Sequence, residues 1–218
     1  MEEVKPTENR YQRRLGDVGK LVGQRVNQLL AGLQAQRPAA TADLARLRRG
    51  VGKAPGQLPD IWELTAPPSS DIARGDAATP AETAVHVALT LFAVHQQSES
   101  QPMHVPGRSL AGAFGKLVRR HKDAVGEESL RARFDAVVTA TTFTSVPYHL
   151  RGLVSLLKRE GLGFDYGILA DDICALARGM QRDGSQGSHT GVEEVRRRWA
   201  RDFRHLDQDE ISAQKENK

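Results

Sequence analysis

Apolar side chains recur every three or four positions through most of this chain, and the phase of that recurrence divides it into helices. Over 18–34, Leu21, Val22, Val26, Leu29, Leu30 and Leu33 fall at helical spacing and predict a first amphipathic helix. Pro38 closes the connection into a short basic helix over 41–49. Thr41 is its expected N-cap, Asp43 lies in its first turn, and Gly50 stands where a left-handed C-terminal cap is wanted. Leu44 and Leu47 share one side of this helix, Arg46 and Arg49 the opposite side, and Arg48 the border. The Gly/Pro-rich stretch 50–59 reads as a turn, 59–64 as one helical turn docked by Ile61 and Trp62, and 66–79 as a loop.

The next helix has the strongest start signal in the chain. Thr79 is placed to cap it, Pro80 takes the first helical position and Glu82 the capping-box position. Over 84–94 it is apolar on most of its circumference, as a central buried helix must be, with His86, Thr90 and Gln97 on a narrow polar side. Ser109 then caps a helix whose Leu110, Phe114, Leu117 and Val118 face inward and whose Lys116, Arg119 and Arg120 face outward. Gly112 and Gly115 in its interior mark a close backbone approach. The stretch 127–140 repeats the pattern with Leu130, Phe134, Val137 and Val138. Ser145 is the expected cap of a helix to about 160, with Leu150, Leu153, Val154 and Leu157 inside and Tyr148, Arg151, Ser155 and Lys158 on another side. Asp165 starts a helix through Ile168, Leu169, Ile173 and Leu176 that Gly179 ends; a Ser/Gly loop over 184–191 precedes a last helix with the seam Val192, Val195, Trp199, Phe203 and Leu206. Trp199 and Phe203 are expected to anchor that helix rather than to stack on bases. No alternating strand or hairpin signal appears, so the expected fold is all-α, with roughly eight or nine helices in one or two packed bundles. The organisation read from this pattern is a flexible arm over 1–14, an N-terminal helical half over 15–100, a C-terminal bundle over 101–206 and a polar tail over 207–218.

Charge adds a partner to this picture. The net charge of +4 is unevenly spread: 1–60 carry +5, 61–100 carry −4, 101–160 carry +5 and 161–218 carry −2. Two basic blocks separated by acidic surface fit a polyanion. Arg46, Arg48, Arg49 and Lys53 form the first block of candidate contacts, and Lys116, Arg119, Arg120, Arg151 and Lys158 the second. Like charges at i,i+3 cost an isolated helix roughly 0.2–0.5 kcal/mol, which argues for an anion facing the first block. In the last helix Glu193 with Arg197 and Glu194 with Arg198 are matched i,i+4 pairs, so part of that charge is balanced internally. Cys174, the one cysteine, leaves no intramolecular disulfide and fits a reducing compartment, and 218 residues without a long apolar run suggest the cytoplasm and no membrane.

Enzyme chemistry finds no purchase in the motifs. Seven histidines include no HxxxH or HExxH pair, and His95 reads as a core histidine with a satisfied ring. Asp171 and Asp172 begin a DDxxD-like box, but Ala175 occupies its fifth position. No phosphate loop or G-x-S-x-G is present, and Cys174 reads as buried filler without a basic neighbour in the adjacent turn. No metal, no cofactor and no catalytic residue are expected.

The order of several blocks resembles the CasB family, the small subunit of the type I-E CRISPR effector complex called Cascade. The blocks are LARLRRG at 44–50, LTLFAVHQQS at 89–98, RFDAVVTA at 133–140, HLRGLVSLLK at 149–158, FDY at 164–166 and WARDF at 199–203. The resemblance implies a non-enzymatic helical subunit, two copies of which contact CRISPR RNA and target DNA, hold the displaced strand and bind the other Cascade subunits. Arg46, Arg48, Arg49 and Arg151 are the residues onto which its nucleic-acid contacts carry over. Such a protein reads backbone charge, because guide pairing already supplies sequence specificity. Two rivals stand beside it: a helical DNA-binding regulator, for which no helix-turn-helix pair with a base-reading second helix is found, and a structural interaction module without nucleic-acid contact.

Overall fold

A computed structural model describes residues 13–73, 75–121, 124–181 and 189–205. The segments 1–12 and 182–188, Leu206 and the tail 207–218 lie outside the described residues, and with them most of the expected arm and of the Ser/Gly loop. Nine α-helices are found among the described residues: α1 (Asp17–Gln34), α2 (Pro38–Arg49), α3 (Trp62–Thr65), α4 (Pro80–His95), α5 (Leu110–Arg120), α6 (Ala124–Val138), α7 (Val146–Arg159), α8 (Tyr166–Gln181) and α9 (His189–Arg204). Extended backbone among them amounts to one parallel bridge between His104 and Phe164. The fold is all-α.

α4 is the centre. Ala84, Val85, Ala88, Phe92 and Ala93 are fully enclosed, because α1, α2, α7 and α8 all pack on it. Its start is the expected capping box: Thr79 Oγ1 accepts from Glu82 N at 3.1 Å, and Glu82 Oε2 accepts from Thr79 N at 2.7 Å. Ser109 caps α5 by accepting from Gly112 N at 3.1 Å. Asp165 caps α8 through Gly167 N at 2.8 Å and Ile168 N at 3.2 Å, and its other oxygen takes Gly107 N at 2.8 Å. The buried core runs without a break from α1 to α9.

The first and last helices both pack on α8. Asp171 accepts from Gly16 N and Gly19 N, both at 2.8 Å, so the N-terminus of α1 is capped by a carboxylate from another helix. A Cβ on Gly19 would lie 2.5 Å from that carboxylate and 2.7 Å from Gly167 O, and a Cβ on Gly167 would lie 2.7 Å from Gly19 O. Only glycine at both positions permits the approach. Asp172, 2% exposed, accepts from Arg13 at 2.5 Å, Arg198 at 3.1 Å and Trp199 Nε1 at 2.7 Å. Trp199 is thus buried and bonded, while Phe203 stacks on Phe134 with centroids 4.7 Å apart, so both anchor α9 as expected.

Several local expectations are corrected. α2 begins at Pro38, in the N1 position where its missing N–H costs nothing, so Thr41 is inside the helix and caps nothing. Gly50 is right-handed (φ −79°), and the left-handed residue is Gly52 (φ +79°). Gly50 is instead required by space, since a Cβ there would sit 2.8 Å from Ile61 Cδ1 and 2.9 Å from Thr90 Cγ2. Ile61 docks the turn before α3, but Trp62 is 53% exposed, its indole donating to Gly56 O at 2.9 Å. Ser145 precedes α7 without capping it, because its hydroxyl donates to Thr142 O at 2.9 Å. α8 continues past Gly179 to Gln181, and Gly191 lies inside α9. The close approach inferred for α5 is at Gly115, where a Cβ would be 2.1 Å from Phe203 O. Cys174 is buried, which pushes its thiol up, yet it has a basic neighbour: Arg178 Nη2 lies 3.7 Å from Sγ.

His95 is enclosed, with Nδ1 2.9 Å from the Tyr166 hydroxyl and its ring 5.4 Å from that of Phe164. Its ring is half satisfied, Nε2 having no partner among the described residues. Burial, with Lys158 nearby, lowers its pKa to about 3. Below a pH of roughly 6.5 the unfolded chain protonates this imidazole and the fold does not. Its contribution is therefore complete above that pH and is lost as pH falls toward 3. Denaturant titrations should show stability declining between pH 6.5 and 4, with a shallower decline in His95→Phe. Asp172→Ala, which leaves a buried indole and two half-buried arginines without their shared carboxylate, should cost about 3–5 kcal/mol in the same measurement.

Candidate nucleic-acid interface

The first basic block is a helix end held rigidly from behind. Ala40, Leu44 and Leu47 bury one side of α2 against α1 and α4. The Gly50 carbonyl at its C-terminus accepts from His86 Nε2 at 3.1 Å, which fixes the His86 tautomer; burial lowers the pKa of that ring. On the other side Arg46 pairs with Asp43 and Arg49 with Asp60. Arg48 and the exposed Lys53 have no ion-pair or hydrogen-bond partner for their side chains among the described residues. Two of the three arginines within one turn are therefore matched by internal acids, which sequence spacing could have shown for Asp43 at i−3 but not for Asp60.

The second block is dispersed. Lys116 is buried rather than outward, since α6, α7 and α9 together enclose nearly the whole circumference of α5. Arg119 donates to Phe203 O at 2.9 Å and His205 O at 3.0 Å, closing the C-terminal end of α9. Lys158 donates to Val94 O at 3.1 Å in the last turn of α4. Arg120 is exposed and reaches toward Glu160 O at 3.5 Å. Arg151 is exposed, and it alone of this block has no side-chain partner among the described residues.

Arg151 opens onto a groove between α6 and α7, about 560 Å³ in volume. Tyr148, His149 and Gly152 of α7 line it, as does Arg133 of α6. Arg133 and His149 are not among the candidate contacts named from the sequence, because the residues that complete the groove with them are on different helices. The signal was the repeat of Ser129, Ala132, Arg133 and Ala136 on one face of α6, matched by Tyr148, Arg151, Gly152 and Ser155 on one face of α7. On α9, Glu193 pairs with Arg197 at 3.3 Å and Glu194 with Arg198 at 3.9 Å, as the spacing predicts. Among the described residues no three His, Cys, Asp or Glu side chains gather as a metal site, and no helix is long and apolar enough to cross a membrane.

A helical body with these surfaces finds its counterparts among CRISPR-associated proteins. The family model for CRISPR-associated protein Cse2 matches residues 43–203, a span that holds both the α2 end and the α6/α7 groove. The crystal structure of CasB from Thermobifida fusca is 36% identical, with a TM-score of 0.66 over 88% of this chain and 100% of that one. A Cse2-family protein from Thermus thermophilus is 25% identical, with a TM-score of 0.58 over 85% of this chain and 96% of that one. A search of curated protein sequences gives no match. The chain belongs to the Cse2 (CasB) family of type I-E Cascade.

The internal bonds separate structural cations from available ones. Arg119→Ala should destabilise the protein by about 1.5–3 kcal/mol, the worth of hydrogen bonds to a charged donor, and leave the salt dependence of nucleic-acid binding unchanged. Thermal denaturation alongside a binding titration separates the two effects.

Proposed function

We propose that this protein is the non-catalytic small subunit of a type I-E Cascade complex, in which it contacts CRISPR RNA, target DNA and the displaced strand and stabilises the R-loop. The other Cascade subunits and a second copy of itself are its protein partners. The observation that carries the nucleic-acid reading is the α2 end: Arg46, Arg48 and Arg49 project from a helix whose opposite side is buried in the core, and Lys53 from the turn that follows it. Arg48 and Lys53 are ready to meet phosphate directly. Arg46 and Arg49 exchange surface ion pairs with Asp43 and Asp60 for phosphate contacts, an exchange that gives up only about 0–1 kcal/mol per pair. Arg120 and Arg151 extend the cationic surface to the C-terminal helices. None of these side chains is organised to read a base edge in a groove, so affinity follows backbone charge, in keeping with a complex whose guide supplies the sequence.

A salt titration tests this. Each phosphate neutralised contributes roughly 0.9 to the slope of log affinity against log salt on duplex DNA and 0.7 on a single strand. Replacing Arg48 and Lys53 by alanine should flatten that slope by roughly 1.4–1.8, equally for unrelated DNA sequences, with folding intact. An unchanged slope, both in the isolated protein and in the assembled complex, would assign α2 a solvated arginine face and no contact.

A further inference from the structure

The α6/α7 groove combines three properties found together nowhere else among the described cavities. It is cationic, with Arg133 and Arg151 exposed and without ion-pair partners among the described residues, and no acidic side chain lines it. It is aromatic, with Tyr148 78% exposed at its edge. It is also open at its floor, where a Cβ on Gly152 would meet nothing within 4 Å. The His149 ring stands edge-on to Tyr148, with centroids 5.5 Å apart and planes at 72°, so an exposed tyrosine is flanked by an aromatic that steadies it.

We propose that this groove binds single-stranded nucleic acid, with a base stacked on Tyr148 and the phosphates on either side held by Arg133 and Arg151. The inference rests on the nucleic-acid reading above, which already includes single strands, and adds to it a particular groove and an aromatic contact that backbone charge alone does not require. The lining selects the occupant. An acidic peptide satisfies the two guanidinium groups but leaves the tyrosine face in water. A duplex satisfies them too, but its bases are stacked on one another and present no free π-face. A single strand offers both an accessible base and flanking phosphates, and stacking of this kind tolerates any base. A volume of about 560 Å³ accommodates a nucleotide-sized segment.

The test uses the full chain and fluorescence anisotropy with three probes: a labelled oligothymidylate, the same strand with every base removed, and a hairpin duplex. Tyr148→Ala should weaken oligothymidylate binding roughly tenfold, the effect of losing one base–aromatic stack, without altering the salt slope. Tyr148→Phe should bind like the parent, and neither change should affect the abasic strand or the duplex. The Arg133→Ala, Arg151→Ala double variant should flatten the slope by roughly 1.4 on both single strands. Equal oligothymidylate affinity for the parent and Tyr148→Ala, or an equal loss on the abasic strand, overturns the stacking proposal and leaves the backbone-charge reading standing. Failure of the parent to bind any of the three probes at low salt overturns both.

Discussion

Two adjacent carboxylates on α8 hold this fold closed. Asp171 supplies the N-terminal cap of α1, and Asp172 gathers Arg13, Arg198 and Trp199 around a site with almost no solvent access. Successive residues on a helix point about 100° apart, so one Asp-Asp step addresses α1 on one side and α9 on the other. Burial raises the pKa of Asp171 against the lowering effect of its two backbone donors and of Arg13. α1 and α8 in turn wall α4, and the Gly19–Gly167 contact sets how closely they do so. An incorrectly seated α8 would uncover α4, whose circumference is almost wholly apolar.

This arrangement explains which parts of the fold were legible in the sequence. The α4 capping box, the Ser109 and Asp165 caps and the α9 seam depend on residues within one turn of each other, and the sequence displays them directly. The Asp171–Gly16 cap joins residues 155 apart, and no local pattern announces it. Asp171 and Asp172 resemble part of a metal box in the sequence for a simple reason: clustered acids suit a cation, and here the cations, on Asp172, are arginines. Trp62 was misplaced because apolar character alone was taken to imply docking, whereas its indole bonds to the preceding turn and leaves the ring in solvent.

Positive charge was harder to read than hydrophobicity. A helix carries its apolar stripe in its own sequence, but whether an arginine is available is decided by what lies opposite it in space. Arg119 and Lys158 complete the C-terminal ends of α9 and α4, and Lys116 is buried by three neighbouring helices, so a count of basic residues overstates the second patch. Counting also gave no reason to single out Arg133, which becomes part of a groove only when α6 lies beside α7. The candidate site was therefore legible at α2, where one helix displays it, and only half legible where two helices build it, since α7 shows Tyr148 and Arg151 on one side but nothing local joins Arg133 to them.

The cations left over after these internal bonds are set on rigid elements. The α2 end is fixed by Leu44, Leu47 and the His86–Gly50 bond, and Arg151 by the buried Leu150, Leu153 and Val154 on either side of it in α7. α2 and α7 both pack on α4, so the spacing between the two surfaces is set by the same core that makes α4 inaccessible. On the proposed reading, in which backbone charge rather than bases is followed, this spacing would be the physical basis of selectivity: phosphates could satisfy both surfaces only if the strands that carry them ran at the spacing α4 dictates. A guide-paired strand has such a defined path and free DNA in solution does not, so under the proposed function rigid placement of a few available cations would favour the assembled complex without raising affinity for every polyanion.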